Sequence, residues 1–144
     1  MHMQNEIVTE YLSEILSPAA YQNTTKNILA ALRPISNEFD GICCCGVSGV
    51  SVAPFIASQL GKYCIIIRKS QVKTNSHKPV EGIRVSRYII LDDFAESFET
   101  VKFVLNESKK FNSCSICKYL AFYSINHISP LAEFWGVPIL KIAA

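Results

Sequence analysis

The sequence predicts an α/β fold: a doubly wound, mainly parallel five-stranded sheet with helices on both faces. Short apolar runs that suit buried strands alternate with amphipathic segments through residues 40–144, and this alternation is typical of parallel sheets. The chain has 144 residues, of which 49% are hydrophobic and 18% charged, so it can bury one core. We therefore expect a single domain, 1–144, with a helical N-terminal segment over 1–35 and an α/β core over 40–144.

The N-terminal segment predicts two helices. Apolar residues at helical spacing indicate the first over residues 5–16, and Ser17-Pro18 is expected to end it. A second helical segment runs from about 21 to 33 and is closed by Pro34.

The sequence of the core, residues 40–144, predicts five strands and three helices. The strands are expected over 41–47, 62–69, 88–91, 115–124 and 137–142, and the helices over 50–61, 96–110 and 130–135. Residues 70–82 are polar, contain Pro and Gly, and predict a long loop or a loose hairpin. Right-handed crossovers then fix most of the topology.

Charge and hydropathy exclude several classes of function. The net charge of +2, without a basic run of five residues, does not predict nucleic-acid binding. Apolar runs are far shorter than the roughly 18 residues that a membrane helix needs. The first ten residues carry acids and no hydrophobic segment, so no secretory signal is predicted. We expect a cytoplasmic protein whose six cysteines are reduced thiols.

Three predicted strands are followed by unusual polar segments, at 45–51, 68–78 and 92–100. In open parallel sheets, ligands bind outside the carboxyl ends of strands. At the carboxyl end of their strand, Asp92 and Asp93 could accept hydrogen bonds from neighbouring hydroxyls, such as those of a ribose, or hold Mg²⁺ through water. The alternative is that they cap the following helix, whose first turn favours acids.

The connection after the acidic pair has the features of an anion site. Backbone amides at a helix N-terminus bind anions, and Ser97 and Thr100 add hydroxyl donors.

This combination resembles the phosphoribosyl-pyrophosphate loop of the type I phosphoribosyltransferases. The stretch "IILDDFAESFET" (89–100) has an apolar strand, Asp-Asp and a turn with Ser and Thr before a helix. The stretch "CGVSGVSVAPFIASQLGKYCIIIRK" (45–69) is similar to the family's first loop, its helix and the next strand. The stretch "KTNSHKPVEG" (73–82) resembles the lysine- and histidine-bearing mobile loop of orotate-type members.

The resemblance implies a role for each matching residue. The acidic pair would hold the ribose hydroxyls and Mg²⁺, and the turn would wrap the 5′-phosphate. The first loop, Val47 to Val50, would bind the pyrophosphate together with a metal. The basic residues Arg68, Lys69, Lys73 and His77 would close over an oxocarbenium-like transition state. The implied ligand-binding residues are Asp92, Asp93, Ser97, Thr100, Val47, Ser48, Gly49, Arg68 and Lys69, and the implied catalytic residues are Lys73, His77 and Asp93. The implied partner is phosphoribosyl pyrophosphate or a nucleotide, and dimers are common among such folds.

The sequence departs from the family at the turn, where Phe98-Glu99 replaces a glycine pair. Phenylalanine adopts positive φ less readily than glycine. A carboxylate about 5 Å from a phosphate charge is repelled by roughly 3 kcal/mol at an effective dielectric constant of about 20. Glu96 and Glu99 must therefore face away from a bound phosphate, or the turn does not hold one in the usual manner.

Two main hypotheses follow, with a third behind them. The first is a phosphoribosyltransferase that acts on a nucleobase-type nitrogen acceptor. The second is a non-catalytic binding or regulatory protein that has lost the phosphate turn, and the third is an interaction protein with an empty crevice.

Other distinctive residues have ordinary explanations. The run Cys43-Cys44-Cys45 is expected in a buried strand. Cys114 and Cys117 have metal-ligand spacing, but there is no second pair at a matching interval. Trp135 with Phe134 is expected to seal the core, and stacking on a nucleobase is the alternative.

Overall fold

The structure, a computed structural model, describes residues 6–9, 12–69, 79–124 and 130–142. Its centre is a seven-stranded sheet with the order β3-β2-β1-β4-β5-β7-β6. The strands are β1 (Gly41–Cys45), β2 (Tyr63–Ile67), β3 (Val80–Glu81), β4 (Arg87–Asp92), β5 (Ile116–Phe122), β6 (Glu133–Phe134) and β7 (Val137–Lys141). The five longer strands are parallel, as predicted, and the two short strands add antiparallel edges. The predicted fold class is confirmed.

Helices cover both faces of this sheet, and strand β1 places alternate side chains in the two cores that they form. Ile42 and Cys44 face a core built with helices α1 (Pro18–Leu32) and α3 (Ala53–Leu60). Cys43 and Cys45 face a second core that includes residues of α4 (Glu99–Phe111). The cysteine run is thus core, as expected. Among the described residues, no helix combines the length and apolarity that crossing a bilayer requires.

The N-terminal segment differs from the prediction in where its helix begins. Ser17 caps α1 by accepting a hydrogen bond from the Ala20 amide (3.2 Å), and Pro18 occupies the first turn. These two residues therefore start a helix, and the prediction that they end one is wrong. Residues 12–17 form turns, so the first predicted helix is not seen in the described part of 5–16. A 3₁₀ helix, Arg33–Glu38, follows α1.

The region after β1 contains a short helix that the sequence did not predict. Helix α2 (Gly46–Val50) follows β1 directly and leads into α3. Helix α3 ends at Gly61, whose φ of 67° is left-handed, in agreement with the predicted stop.

The predicted helix over 130–135 is wrong, because these residues enter a hairpin. Strand β6 pairs with β7 through a turn at Trp135 and Gly136, whose φ values are 51° and 76°. Positive φ at two successive residues is incompatible with a right-handed helix. Strand β3 pairs with β2, which favours the hairpin over the loop within 70–82, although residues 70–78 lie outside the described residues.

Phe98 has an unusual backbone and a buried side chain. Its φ and ψ of 62° and 11° lie in the left-handed region, directly before α4. Its ring stacks on Phe134 (centroids 4.5 Å apart) and meets Phe122 edge-on (6.1 Å). A left-handed non-glycine residue costs about 1–2 kcal/mol, whereas a buried Phe ring contributes about 3–5 kcal/mol. Packing therefore outweighs the backbone strain.

We predict that replacing Phe98 reverses the usual ranking of alanine and glycine. Phe98→Ala should lower the free energy of unfolding by about 3–5 kcal/mol, because the ring is lost while the strain remains. Phe98→Gly should be about 1 kcal/mol more stable than Phe98→Ala, because glycine relieves that strain. Urea unfolding measures both.

The matched control is Asn106, which is exposed within α4. There, Asn106→Ala should be about 1 kcal/mol more stable than Asn106→Gly. If the alanine variant were also more stable than the glycine variant at Phe98, the left-handed conformation of this residue would be contradicted.

Candidate functional site

A cleft lies where the order of the sheet reverses. The chain leaves β1 toward β2 on one side and later returns to β4 on the other, so the ends of β1 and β4 diverge. The cleft there has a volume of about 580 Å³. It is lined by Val8, Thr9, Leu12, Leu16, Cys45, Gly46, Val47, Ser48, Lys69, Asp92, Asp93, Phe94 and Thr100.

A hydrogen bond joins the two sides of this reversal. The Ser48 hydroxyl donates to Asp92 Oδ1 (2.8 Å), and the Asp93 amide donates to the same oxygen (2.8 Å). Ser48 follows β1, while Asp92 ends β4. The first loop and the acidic pair, which are 44 residues apart in sequence, therefore form one site.

The two aspartates are held in different ways. Asp93 is buried, and its Oδ1 accepts a hydrogen bond from the Phe94 amide (2.8 Å). Asp92 is half-buried. The backbone carbonyls of both accept hydrogen bonds from the residues just after β5, Tyr123 and Ser124. Both aspartates line the cleft, and these backbone hydrogen bonds fix them beside the end of β5.

The acidic pair has unusual electrostatics. Burial, and next the charge of Asp93, raise the pKa of Asp92 to about 7, against the stabilising effect of the Ser48 hydroxyl. The folded protein therefore holds the Asp92 proton to a higher pH than an exposed aspartate would. A raised carboxyl pKa in a cleft is typical of binding and catalytic sites.

Buried groups hold the first loop against the sheet. The Tyr123 hydroxyl donates to the Ser48 carbonyl (2.9 Å), and the Tyr21 hydroxyl donates to the Ser51 carbonyl (2.7 Å). Gly49 is buried, and a Cβ there would lie 3.1 Å from the Leu91 carbonyl oxygen and 3.1 Å from Cys44 Cβ. The loop approaches β4 this closely because Gly49 lacks a side chain.

The turn before α4 directs its glutamates away from the cleft. Glu99 is 72% exposed in its side chain and pairs with Lys102 (3.1 Å). Glu96 is exposed, and neither glutamate lines the cleft. Thr100 does line it. The repulsion considered from the sequence therefore does not arise in this arrangement.

The structure brings some of the sequence-predicted site residues together and separates others. Those that line the cleft are Val47, Ser48, Lys69, Asp92, Asp93 and Thr100. Gly49 packs on β4. Ser97 is exposed, and its hydroxyl oxygen accepts a hydrogen bond from the Glu99 amide (3.4 Å). Arg68 turns to Glu81 (2.6 Å) in β3. Lys73 and His77 lie outside the described residues.

Sequence reasoning missed the outer wall of the cleft. Val8, Leu12 and Leu16 line it, together with Thr9. The apolar spacing of Val8, Leu12 and Leu16 was interpreted as that of a helix, and this spacing does not distinguish a wall of a cleft from ordinary core. The Tyr123 contact was also missed, because it joins residues 75 positions apart.

We predict that Asp92 makes the folded protein less stable as pH rises. Its carboxyl ionises at an ordinary pKa of 3.8 when unfolded but at about 7 when folded, so the folded state holds more protons in between. Between pH 5 and pH 7.5 this should lower the free energy of unfolding by about 2 kcal/mol. Asp92→Asn keeps the acceptor oxygen and should remove that decline, which urea unfolding at the two pH values measures.

Glu99→Gln is the control, because this exposed carboxylate should leave the decline unchanged. An Asp92→Asn variant with the same pH dependence as the original protein would disprove the assignment.

Comparison with known proteins identifies the fold. No protein-family model matches the chain. The transcriptional regulator GfcR of Methanocaldococcus jannaschii is 26% identical over 123 residues, 80% of this chain, which spans only 56% of that protein.

Solved structures superpose on the chain in three dimensions although their sequence identities are low. Orotate phosphoribosyltransferase from Aeropyrum pernix superposes with a TM-score of 0.69 at 14% identity, over 88% of this chain and 72% of that one. Adenine phosphoribosyltransferase from Saccharomyces cerevisiae gives 0.66 at 15% identity, over 97% and 88%. The order of elements and these superpositions agree with the resemblance found in the sequence: the chain has the type I phosphoribosyltransferase fold.

Proposed function

We propose that the cleft binds a phosphoribosyl ligand, phosphoribosyl pyrophosphate or a nucleotide, and that the protein transfers the phosphoribosyl group to a nucleobase-type nitrogen. The observation that carries the proposal is the convergence of Asp92, Asp93, Ser48, Lys69 and Thr100 on one cleft, with both nearby glutamates turned outward. The structures that superpose well are named as phosphoribosyltransferases, which supports the same class.

The polar groups of the cleft suit the parts of such a ligand. Carboxylates accept hydrogen bonds from vicinal hydroxyls, so the acidic pair fits the ribose. The 13-residue helix α4 begins at the turn, and its first amides and positive dipole end favour the 5′-phosphate. Thr100, in the first turn, adds a hydroxyl. Lys69 supplies a cation at the end of β2 for a second phosphate group.

Mg²⁺ fits this site only in company with the ligand. Within the described ranges, no three acidic, histidine or cysteine side chains converge, so the protein alone offers no full ligand set. Mg²⁺ commonly binds one or two carboxylates together with substrate phosphates, and Asp92 and Asp93 provide such a pair. A bound Mg²⁺ would neutralise charge on the pyrophosphate.

The proposed reaction exchanges one bond for another at the anomeric carbon. The bond from that carbon to the pyrophosphate oxygen breaks with its electron pair, and the acceptor nitrogen forms the new bond and loses its proton. Positive charge develops on the ribose ring between these events, and the carboxylates of the acidic pair suit that charge. Lys73 and His77 remain proposed catalytic residues by resemblance.

We predict Mg²⁺-dependent binding of phosphoribosyl pyrophosphate. Calorimetric titration should show binding in the presence of Mg²⁺ and at least tenfold weaker binding without it, a difference of about 1.4 kcal/mol. Asp93→Asn should weaken binding by a similar factor, because a hydroxyl acceptor loses its charge. Glu96→Gln, which changes an exposed carboxylate outside the cleft, is the control.

Two outcomes separate binding from transfer. No heat at millimolar ligand with Mg²⁺ present would exclude the proposal entirely. Binding without pyrophosphate release, tested against a panel of free nucleobases, would exclude only the transfer step.

A second candidate function is ligand-dependent regulation without catalysis. Phe98 occupies the position at which the resemblance expects glycine, and its buried ring fixes the turn. The sequence relative GfcR is named a transcriptional regulator, and this chain spans 56% of it. A cleft that binds a phosphoribosyl ligand without transfer would serve a protein of this kind.

We predict that restoring the glycine pair distinguishes these functions. If Phe98-Glu99 merely weakens a transferase, replacing it by Gly-Gly should tighten phosphoribosyl pyrophosphate binding several-fold and raise pyrophosphate release. Phe98→Gly alone, with Glu99 kept, shows how much of the effect comes from the backbone. The titration must use variants that urea unfolding shows to be folded, because the Phe98 ring is lost.

Unchanged release in a folded Gly-Gly variant that binds the ligand would favour the regulatory function. A clear rise in release would eliminate it.

A further inference from the structure

The outer wall of the cleft points to the kind of ring that the ligand carries. Building on the proposed function, we propose that the site selects a phosphoribosyl ligand with an uncharged ring and rejects one whose ring carries a carboxylate. The stretch 73–82 resembles the mobile loop of orotate-type members, and orotate bears such a carboxylate, so this selectivity departs from what the resemblance implies.

The lining of the cleft divides into a polar floor and an aliphatic wall. The floor consists of Ser48, Lys69, Asp92, Asp93 and Thr100, which the sugar and phosphate groups would use. The wall consists of Val8, Thr9, Leu12, Leu16 and Val47, and Cys45, Gly46 and Phe94 complete the lining. If the sugar and phosphate groups use the floor, the wall supplies most of the remaining lining for a ring attached to the ribose.

Several of these aliphatic side chains are unusually open to solvent. Val8 is 90% exposed, Val47 68% and Leu16 46%. A group of exposed aliphatic residues around one cleft marks a binding surface more often than scattered ones do. An apolar or aromatic ring placed on them would bury this area and gain the hydrophobic contribution.

The N-terminal part of the wall is anchored to the body of the protein. Glu14 accepts hydrogen bonds from Thr24 Oγ1 at its carbonyl (2.8 Å) and from Ser124 Oγ at its Oε1 (2.9 Å). The Leu12 amide donates to Thr9 Oγ1 (2.8 Å), and Ile15 packs against the core beneath α1. Leu12 is thus presented by a fixed segment, which makes selectivity by shape and charge feasible.

Charge disfavours a ring carboxylate at this wall. Among the described lining residues, Lys69 is the sole cation, and the proposed binding mode uses it for phosphate. The wall offers one polar side chain, Thr9, whose hydroxyl accepts from the Leu12 amide and could donate one hydrogen bond but carries no charge. A carboxylate there would lose hydration without an ionic partner among the described residues of the wall, and it would lie in the same cleft as the two aspartates of the floor.

A matched pair of nucleotides tests the proposal. Orotidine 5′-monophosphate and uridine 5′-monophosphate differ by one ring carboxylate, so calorimetric titration with Mg²⁺ isolates its effect. We expect uridine 5′-monophosphate to bind at least about tenfold tighter. Equal binding, or tighter binding of orotidine 5′-monophosphate, overturns the selectivity while leaving the proposed function intact. Failure of both nucleotides at millimolar concentration, together with failure of phosphoribosyl pyrophosphate, overturns both.

Variants of the wall locate the effect. Leu12→Lys should shift the preference toward orotidine 5′-monophosphate by at least about fivefold, because it supplies the missing cation. Leu12→Gln is the matched control, polar but uncharged, and should leave the ratio nearly unchanged. Val47→Lys, at a more exposed position, repeats the test if Leu12→Lys does not fold. An unchanged ratio in both folded lysine variants overturns the assignment of the ring to this wall.

Discussion

The hydrogen bond from Ser48 to Asp92 is the constraint on which the site depends. It spans the point where the strand order reverses, and it needs three other features of the fold. Gly49 lets the loop approach β4 closely, Tyr123 holds the Ser48 carbonyl, and β4 ends at Asp92. Each feature would look incidental alone, but together they place a serine hydroxyl against a half-buried carboxylate.

Phe98 shows how packing can preserve a backbone conformation that its residue type disfavours. The sequence alone suggested that phenylalanine would adopt the positive φ less readily than glycine does. The structure has that φ nonetheless, because the ring stacks on Phe134 and meets Phe122 in the core. The local preference of one residue is overridden by burial worth several times the strain. The turn has a positive φ at Phe98, and Glu96 and Glu99 are exposed.

The fold was largely predictable because its signals are strong and local. All five longer strands were predicted from short apolar runs, and Gly61 marked the end of α3. The wrong predictions involve residues whose type is compatible with two different local structures. Ser-Pro can end one helix or begin the next, and only the cap to Ala20 decides. Phe134 and Trp135 suit a helix by composition, but the turn at Gly136 makes a hairpin.

In the site, the acidic pair and the first loop followed from their positions at strand ends. The aliphatic wall did not, because Leu12 in a ligand wall and leucine in a core have the same sequence pattern.

The charge of the acidic pair argues against an empty structural crevice. Placing Asp92 beside Asp93 in a partly buried site makes ionisation of Asp92 costly in the folded protein, as its raised pKa shows. The hydrogen bonds from Ser48 and the Asp93 amide lower this cost without removing it. A neutral residue of the same shape would accept the same hydrogen bonds at less expense to the fold. Hydroxyl groups or a cation in the cleft would offset the repulsion, because both interact favourably with carboxylates. The acidic pair is therefore better suited to the occupied cleft than to the vacant one, and this difference in free energy would contribute to ligand affinity.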